Sequence, residues 1–152
     1  MTIVVDSPAQ LEAAIGDSAT SDWLLIDQQR IAAFADATED WQWIHLDAER
    51  AASGPFGTTI AHGYLTLSLL PRLTAGLLKV AGVAMVVNYG LDRVRFLQPV
   101  PAGSRVRAVT EIAAVEPGTQ GYRVSLHTTV QLEGSERPAL VAQTVGLFVP
   151  EA

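Results

Sequence analysis

The sequence predicts an α+β fold in which an antiparallel sheet curls around one buried helix. Between residues 62 and 80, apolar residues cover nearly the whole circumference of a helix, which is typical of a buried helix. After Gly82 the chain reads as extended, with polar and apolar residues in alternation. Short turns join the extended segments, which indicates that neighbouring strands are antiparallel.

The first part of the chain predicts shorter elements. Apolar residues at helical spacing predict a short helix within residues 6–19, and the apolar run 23–26 predicts a strand. Asp27 stands where a helix N-cap belongs, and the spacing after it predicts a helix over 28–38. Residues 40–45 show no clean period, so we expect a loop there.

The apolar helix contains a residue that a regular helix does not accommodate. Residues 47–52 predict a helical turn and 53–57 predict a loop before this helix begins. Pro71 lies inside the helix and has no amide hydrogen to donate. We therefore expect the helix to bend or break at that point.

The second half of the chain supplies the strands of the predicted sheet. Their expected bounds are 84–97, bent near Gly90, then 105–112, 122–132 and 139–149. A sheet that curls around a single apolar helix buries both at once, which is the hotdog fold. We expect one such domain over residues 1–152. A single copy leaves one sheet edge open, and edge-to-edge pairing of two copies predicts a homodimer.

The composition excludes several classes of protein. The net charge of -6, with only 10 lysines and arginines, argues against a nucleic-acid partner. The absence of cysteine excludes disulfides and thiolate chemistry and fits a reducing cytosol. No apolar run reaches the ~18 residues of a membrane span, and the N-terminus lacks the positive region of a signal peptide. We therefore expect a cytoplasmic protein with no membrane span.

A carboxylate and an imidazole stand five positions apart at Asp40 and His45. Such a pair can hold one water and move its protons. Seventeen residues after His45, the pair His62-Gly63 precedes the apolar helix, and the amide of Gly63 could polarise a carbonyl oxygen. These are the groups needed to add water to an activated double bond, or to remove it.

Longer stretches around these groups carry a family resemblance. They are the run from Phe34 to Ala51 with Asp40-Trp-Gln-Trp-Ile-His45, then Gly54-Pro-Phe-Gly57, Ile60-Ala-His-Gly-Tyr-Leu-Thr-Leu-Ser68, and Asn88 to Phe96 with Pro99-Val100 after it. Together they resemble the signature of the MaoC-like dehydratases, also called (R)-specific enoyl-CoA hydratases, with the nodulation-protein-N type as the most similar subgroup. The resemblance begins near Asp27 and implies the hotdog fold.

The resemblance implies reversible syn hydration of trans-2-enoyl thioesters in fatty-acid metabolism, without a cofactor. Asp40 and His45 match the catalytic pair of the family, and Gly63 matches the glycine whose amide binds the thioester oxygen. The substrate would be a thioester of coenzyme A or of acyl carrier protein. The family usually has glycine where this chain has Glu39, and Asn-Pro where this chain has Gln42-Trp43.

Further residues are candidates for substrate binding. Gln42 could supply the polar contact of the family's asparagine, and Trp43 could wall the acyl pocket. His62 is a candidate contact too, although a packing role before the helix is the more common one. Arg93 and Arg95 share one strand face and suit coenzyme A phosphates, although solvated arginines are more common there.

Three alternatives remain open at this level. A metal site built from His45, Asp47 and His62 matches no strong motif, so we expect no metal. A hotdog acyl-CoA thioesterase would aim its carboxylate at the thioester carbonyl instead of the double bond. A non-catalytic acyl-thioester binding module would bind acyl-CoA without turnover.

Overall fold

The computed structural model describes residues 1–152 and contains eight strands and five α-helices. The strands are β1 (Ile3–Val5), β2 (Ser18–Thr20), β3 (Leu24–Ile26), β4 (Leu78–Val80), β5 (Val83–Phe96), β6 (Ser104–Pro117), β7 (Tyr122–Leu132) and β8 (Leu140–Pro150). The helices are α1 (Gln28–Thr38), α2 (Trp43–Leu46), α3 (Ala48–Ala52), α4 (Gly63–Ser68) and α5 (Leu70–Thr74), with a 3-10 helix over Pro8–Ala14.

The main sheet is antiparallel and contains six strands in the order β2–β6–β7–β8–β5, with β3 also paired to β6. This curved sheet with α4 and α5 against it is the predicted hotdog fold. A second, two-stranded sheet joins β1 and β4 in parallel. Neither β1 nor β2 was predicted, because strands of three residues are too short to show alternation.

The predicted long helix over 62–80 is wrong in its extent. Two short helices, α4 and α5, occupy residues 63–74, and the chain then turns and forms β4. The expected break is confirmed, and Pro71 lies in the first turn of α5, where a missing amide hydrogen loses no helical bond. Burial on most sides was expected for this apolar segment, and Tyr64 in α4 is instead 70% exposed.

The buried core lies between the sheet and the two short helices. Its larger cluster includes Ile26, Ile31, Leu65, Leu69, Leu70, Leu73, Val106, Val130 and Leu140. A second cluster packs the 3-10 helix and β1 against the other end of the sheet, through Ile3, Leu11, Ile112, Val124 and Phe148. The sheet is therefore anchored at both ends by helical residues.

The long strands follow the prediction with two irregularities. Pairing between β5 and β8 shifts register between Asn88 and Gly90, where a bend was expected. β6 continues to Pro117, beyond the predicted end at 112. The prediction stopped early because a register shift between Ile112 and Ala114 interrupts the alternation of the strand. All residues of β5 from 84 to 93 are exposed. None of the helices combines the length and apolar character needed to cross a bilayer.

Candidate active site

The segment that carries Asp40 and His45 begins at the end of α1. Asp27 caps the start of this helix as predicted, accepting from the amide of Arg30 at 2.8 Å. The helix ends at Glu39, which has a left-handed backbone with φ of 60°. Residues 40–42 form the expected loop, but Trp43–Leu46 is the single helical turn α2, which is too short to show a helical period.

The imidazole of His45 is buried and its orientation is fixed. Its Nδ1 lies 2.7 Å from the carbonyl oxygen of Ile60, so Nδ1 carries the hydrogen and Nε2 keeps a free lone pair. The carbonyl of His45 accepts from Gln28 at 2.7 Å, and Gln28 accepts from the hydroxyl of Thr59 at 2.5 Å. These hydrogen bonds fix the positions of both the backbone and the ring of His45.

Burial lowers the pKa of His45 below its ordinary value of 6.5. The carbonyl of Ile60 opposes this effect, His62 acts in the same direction as burial, and the carboxylate of Asp40 opposes it. The net direction favours the neutral ring near neutral pH. A neutral imidazole with a free Nε2 can accept a proton.

Asp40, His45 and His62 meet at one point of the structure. One nitrogen or oxygen of each side chain lies within 4.8 Å of the others. The carboxylate of Asp40 is exposed to solvent, whereas both imidazoles are buried. A water molecule bound at this point would contact an acidic group and a basic group together, which proton transfer requires.

His62 makes more contacts in this cluster than the sequence indicated. Its ring stacks on His45 with centroids 3.7 Å apart and packs against Phe34 at 4.9 Å. Its Nε2 lies 3.0 Å from the backbone carbonyl of Asp40, so Nε2 is the donor. Its Nδ1 is buried without a protein partner, which costs about 1–3 kcal/mol in an ordinary core.

Gly63 is the first residue of α4 and is exposed. The amide at this position has no acceptor within its own helix and is free to bind another group. A Cβ added at Gly63 would lie 3.1 Å from the ring of Phe96, which is closer than ordinary contact. Gly63 does not have a left-handed backbone, so its conformation does not require glycine. The lack of a side chain instead keeps space open beside the amide.

Gln42 and Trp43 lie beside the cluster with different surroundings. Gln42 is exposed, and its backbone amide nitrogen lies 3.4 Å from the carboxylate of Asp40. The ring of Trp43 packs against Gly54 and is covered by the guanidinium of Arg50 at 4.1 Å. These contacts join α2 to α3, so Trp43 has a packing role in the described contacts.

Arg93 and Arg95 lie on β5, outside the cluster. Both side chains alternate with Val94 and Phe96, which face α4 and the core. The two arginines are therefore on the opposite face of the strand. One protomer does not bring them next to Asp40 and His45, and their assignment to coenzyme A stays a prediction.

The grouping of His45, Asp47 and His62, considered in the sequence but not expected to bind a metal, is not what the structure contains. Asp47 caps α3, accepting from the amide of Arg50 at 2.9 Å, and Asp40 is the carboxylate beside the two imidazoles. Two imidazoles and a carboxylate are donors that zinc binds. The stacked rings oppose chelation, because lone pairs in nearly parallel planes 3.7 Å apart point past a common centre.

A cavity of about 770 Å³ lies beside the C-terminal end of α4, between α5 and the sheet. Its lining includes Leu67, Leu70, Leu91, Leu126, Val145 and Phe148. Sequence reasoning missed this cavity and the contacts of Gln28 and Thr59, because both depend on segments that only the tertiary fold brings together.

The family follows from a comparison of the whole chain with known proteins. Residues 10–133 match the family model described as MaoC like domain. The chain belongs to the MaoC-like family. A Mycobacterium tuberculosis relative, 3-hydroxyacyl-thioester dehydratase Z, is 52% identical over 95% of this chain and 97% of its own length. Nodulation protein N of Rhizobium leguminosarum bv. viciae is 43% identical, covering 95% of this chain and 90% of its own length.

A solved structure of the MaoC-like type agrees with the fold. The R-hydratase PhaJ1 of Pseudomonas aeruginosa superimposes with a TM-score of 0.76 at 27% identity. The alignment covers 96% of this chain and 86% of the hydratase. The hotdog architecture predicted from the alternating strands and the apolar helix is thus confirmed by a related structure.

Proposed function

We propose that this MaoC-like chain catalyses the reversible hydration of trans-2-enoyl thioesters to (3R)-hydroxyacyl thioesters. The observation that carries the proposal is the meeting of Asp40 with the buried, neutral ring of His45. The relatives support the same reaction class, since one is named a 3-hydroxyacyl-thioester dehydratase and a structural neighbour is named an R-hydratase. Dehydration and hydration are the two directions of one equilibrium.

In the proposed mechanism, Asp40 and His45 bind one water between them. His45 accepts a proton through Nε2 because its Nδ1–H is occupied by the carbonyl of Ile60. The hydroxyl oxygen forms a bond to C3 of the enoyl group while the electrons of the double bond move toward the thioester oxygen, and the Asp40–His45 pair then returns the proton taken from water to C2 on the same face. The atoms of one water are thereby added across the double bond, and the pair returns to its starting charge.

Gly63 has the role of the oxyanion donor in this proposal. As hydroxyl adds to C3, negative charge develops on the thioester oxygen, and a fixed amide hydrogen stabilises that charge. The support is the exposed position of Gly63 at the start of α4, adjacent in the chain to the cluster residue His62. The helix has only six residues, so the amide itself supplies most of the effect.

The substrate class is a thioester with an acyl chain, carried by coenzyme A or acyl carrier protein. The cavity of about 770 Å³ beside α4 and α5 supports an acyl group there, since small-molecule pockets span roughly 300–1,000 Å³. Leu67 and Ser68 line it one turn beyond Gly63, so a chain whose thioester oxygen meets that amide extends along the helix toward the cavity.

The proposal includes a homodimer in the cytoplasm. β5 pairs with β8 on one side only, and the strand carries exposed apolar residues, namely Met85, Val86, Val87, Tyr89 and Leu91. Pairing β5 with a second copy would satisfy its backbone groups and cover these side chains. Sedimentation equilibrium tests the dimer by its mass, and fractionation of the source cells tests the compartment.

The function is tested with crotonyl-CoA and the purified protein, with product analysis by chromatography. We expect 3-hydroxybutyryl-CoA of R configuration from the wild-type protein. Asp40→Asn and His45→Gln should each lower kcat by about 10² to 10⁴, because each removes a proton-transfer group. The third histidine, His127, is exposed on β7, and His127→Gln serves as the matched control with unchanged kcat.

The products distinguish the alternatives. Free coenzyme A thiol with no hydroxyacyl product would identify a thioesterase and overturn the hydratase proposal. Tight binding of acyl-CoA without turnover would identify a binding module. Wild-type rates in either Asp40→Asn or His45→Gln would overturn the assignment of the pair while leaving the reaction in place.

A further inference from the structure

We propose that His62 is a positioning residue that holds Asp40, His45 and Gly63 in one arrangement. The inference rests on the proposed hydratase function and extends it to a side chain that takes no direct part in the water addition. Each of the three groups is tied to His62 by a different kind of contact. No other side chain in the described contacts joins all three.

The first tie is a hydrogen bond to the catalytic loop. Nε2 of His62 donates to the backbone carbonyl of Asp40 at 3.0 Å, across 22 positions of the sequence. Asp40 lies in a loop and is exposed, and its carboxylate has only a 3.4 Å contact to the amide of Gln42. The bond from His62 therefore anchors the backbone of Asp40 to the start of α4.

The second tie is the stacking of two rings. The imidazole of His62 lies against that of His45 with centroids 3.7 Å apart and an angle of 23° between the planes. The bond from His45 to Ile60 fixes one edge of its ring, and the stack supports one of its faces. Together they restrict the direction in which Nε2 of His45 points.

The third tie is through the chain itself. His62 directly precedes Gly63, and its carbonyl accepts from the amides of Leu65 at 3.0 Å and Thr66 at 3.3 Å. These bonds form the first turn of α4, so the position of His62 sets where the amide of Gly63 lies. A shift of His62 would move the oxyanion donor and the imidazole base together.

Packing alone does not explain a histidine here. The side chain is 2% exposed, and its Nδ1 is buried with no protein partner. An apolar ring of similar size would fill the space without an unpaired nitrogen, because burying an unpaired polar group is unfavourable. What an apolar ring lacks is the N–H that reaches the carbonyl of Asp40.

The stack also acts on the charge of His45. Two titratable side chains face His45, Asp40 from the loop and His62 from the segment before α4, while Gln28 and Ile60 contact it through uncharged groups. A proton on either ring opposes a proton on the other, so His62 adds to the effect of burial, which lowers the pKa of His45. Removing His62 should make His45 easier to protonate.

Two substitutions separate the hydrogen bond from the ring. His62→Gln keeps an N–H at the reach of Nε2 and removes the stacked ring, whereas His62→Phe keeps a stacked ring and removes the donor. We expect each to lower kcat for crotonyl-CoA hydration by about tenfold to a hundredfold, with KM changed less than about threefold, because the reacting groups are misplaced. In His62→Gln the acidic limb of kcat/KM should also move to higher pH.

The controls are His127→Gln, thermal unfolding of every variant, and an NMR titration of the His45 ring. The proposal would be overturned if both His62 variants kept the wild-type kcat and an unchanged acidic limb. It would also be overturned if the loss of kcat were only equal to that of His127→Gln. The titration decides independently of turnover: an unchanged His45 midpoint in His62→Gln overturns it, and a raised midpoint supports it. Absence of hydration by the wild-type protein would instead contradict the proposed function.

Discussion

Residues 39–63, which we call the catalytic segment after the roles proposed for its side chains, differ from the edge strand β5 in the contacts that their polar and apolar groups make. In the catalytic segment, His45 and His62 are buried and bonded to carbonyls of the same chain. In β5, one side of the strand is paired and every residue from 84 to 93 is exposed. The first region is complete within one protomer, whereas the second has an unpaired edge.

This difference separates the arrangement of the proposed site from the proposed association of two copies. The arrangement of Asp40, His45 and His62 depends on contacts that one folded chain already makes. In the proposed homodimer the edge of β5 is covered by a second copy, because unpaired strand edges with apolar side chains associate. Substitutions in the first region should therefore change turnover, and substitutions in the second should change association.

Outside the Asp40–His45 pair, the largest effect is expected at Gly63. In Gly63→Ala the new methyl group meets the ring of Phe96, which is half exposed and able to move, so the fold should persist. The methyl group also obstructs the approach of a thioester oxygen, and we expect kcat/KM for crotonyl-CoA to fall about a hundredfold. Gly118→Ala, in the turn between β6 and β7, is the matched control, because its methyl group makes only ordinary contact.

If Gly63→Ala kept the kcat/KM of the Gly118→Ala control, the amide of Gly63 would not be the oxyanion donor. A large drop in thermal stability for Gly63→Ala alone would show that Phe96 cannot move. In that case Phe96→Ala should restore the stability but not the turnover. The pair of measurements thus separates obstruction of the substrate from damage to the fold.

The next effect concerns the open edge. Val87→Lys places a charge on β5, and charged residues on an edge strand oppose edge-to-edge pairing. We expect the dimer Kd to rise about a hundredfold, measured by sedimentation, because a desolvated charge at an interface costs several kcal/mol. Thr129→Lys, on the central strand β7, adds the same charge away from the edge and should leave the Kd unchanged.

An unchanged Kd for Val87→Lys would show that β5 is not the interface. The catalytic segment gives a second readout of the same variant. Because Asp40, His45 and His62 come from one chain, the pH midpoint of His45 should be the same in the Val87→Lys protein as in the wild type. A shifted midpoint would mean that the two regions are coupled.

Much of this fold was predictable, because the long strands and the apolar helical segment carry periodic patterns that the tertiary structure keeps. The pattern failed where elements are short. One helical turn at 43–46 and strands of three residues show no period, and the apolar run at 62–80 looked continuous although its last part pairs with β1. Asp40, His45 and Gly63 were identified by spacing and resemblance, and their proposed roles still await the measurements above. The stacking of His62 on His45 depended on contacts between distant segments, which no local pattern reports.

The pH dependence of stability gives a smaller effect with a definite sign. Burial lowers the pKa of His45 below 6.5, so between the two values the unfolded chain binds more protons at this ring than the native chain. The contribution of His45 to the free energy of unfolding should therefore rise with pH up to about 6.5. This contribution should be lost as the pH falls below 6.5. The difference between wild-type protein and His45→Gln, measured by urea unfolding at several pH values, isolates this contribution. A free energy of unfolding that falls, relative to that of His45→Gln, as the pH rises through 6.5 would contradict the direction of the shift.

The smallest effect is expected at Glu39, where the catalytic segment begins. This residue has φ of 60°, a left-handed conformation that glycine adopts without strain and that other residues adopt at a cost. MaoC-like proteins usually have glycine at this position, and the backbone of Glu39 supplies the physical reason. We expect Glu39→Gly to raise the free energy of unfolding by about 0.5–1 kcal/mol, which raises Tm by roughly 1–4 °C in a chain of this size.

Charge offers a competing explanation for any gain in Glu39→Gly, because the substitution also removes a carboxylate next to Asp40. Glu39→Gln removes the charge and keeps the strained backbone, so it should leave Tm close to the wild-type value. An equal rise in Tm for Glu39→Gln and Glu39→Gly would assign the gain to reduced repulsion instead of to backbone strain. A rise confined to Glu39→Gly would show that the turn leading into the catalytic segment stores strain, in contrast to the regular backbone on either side of it.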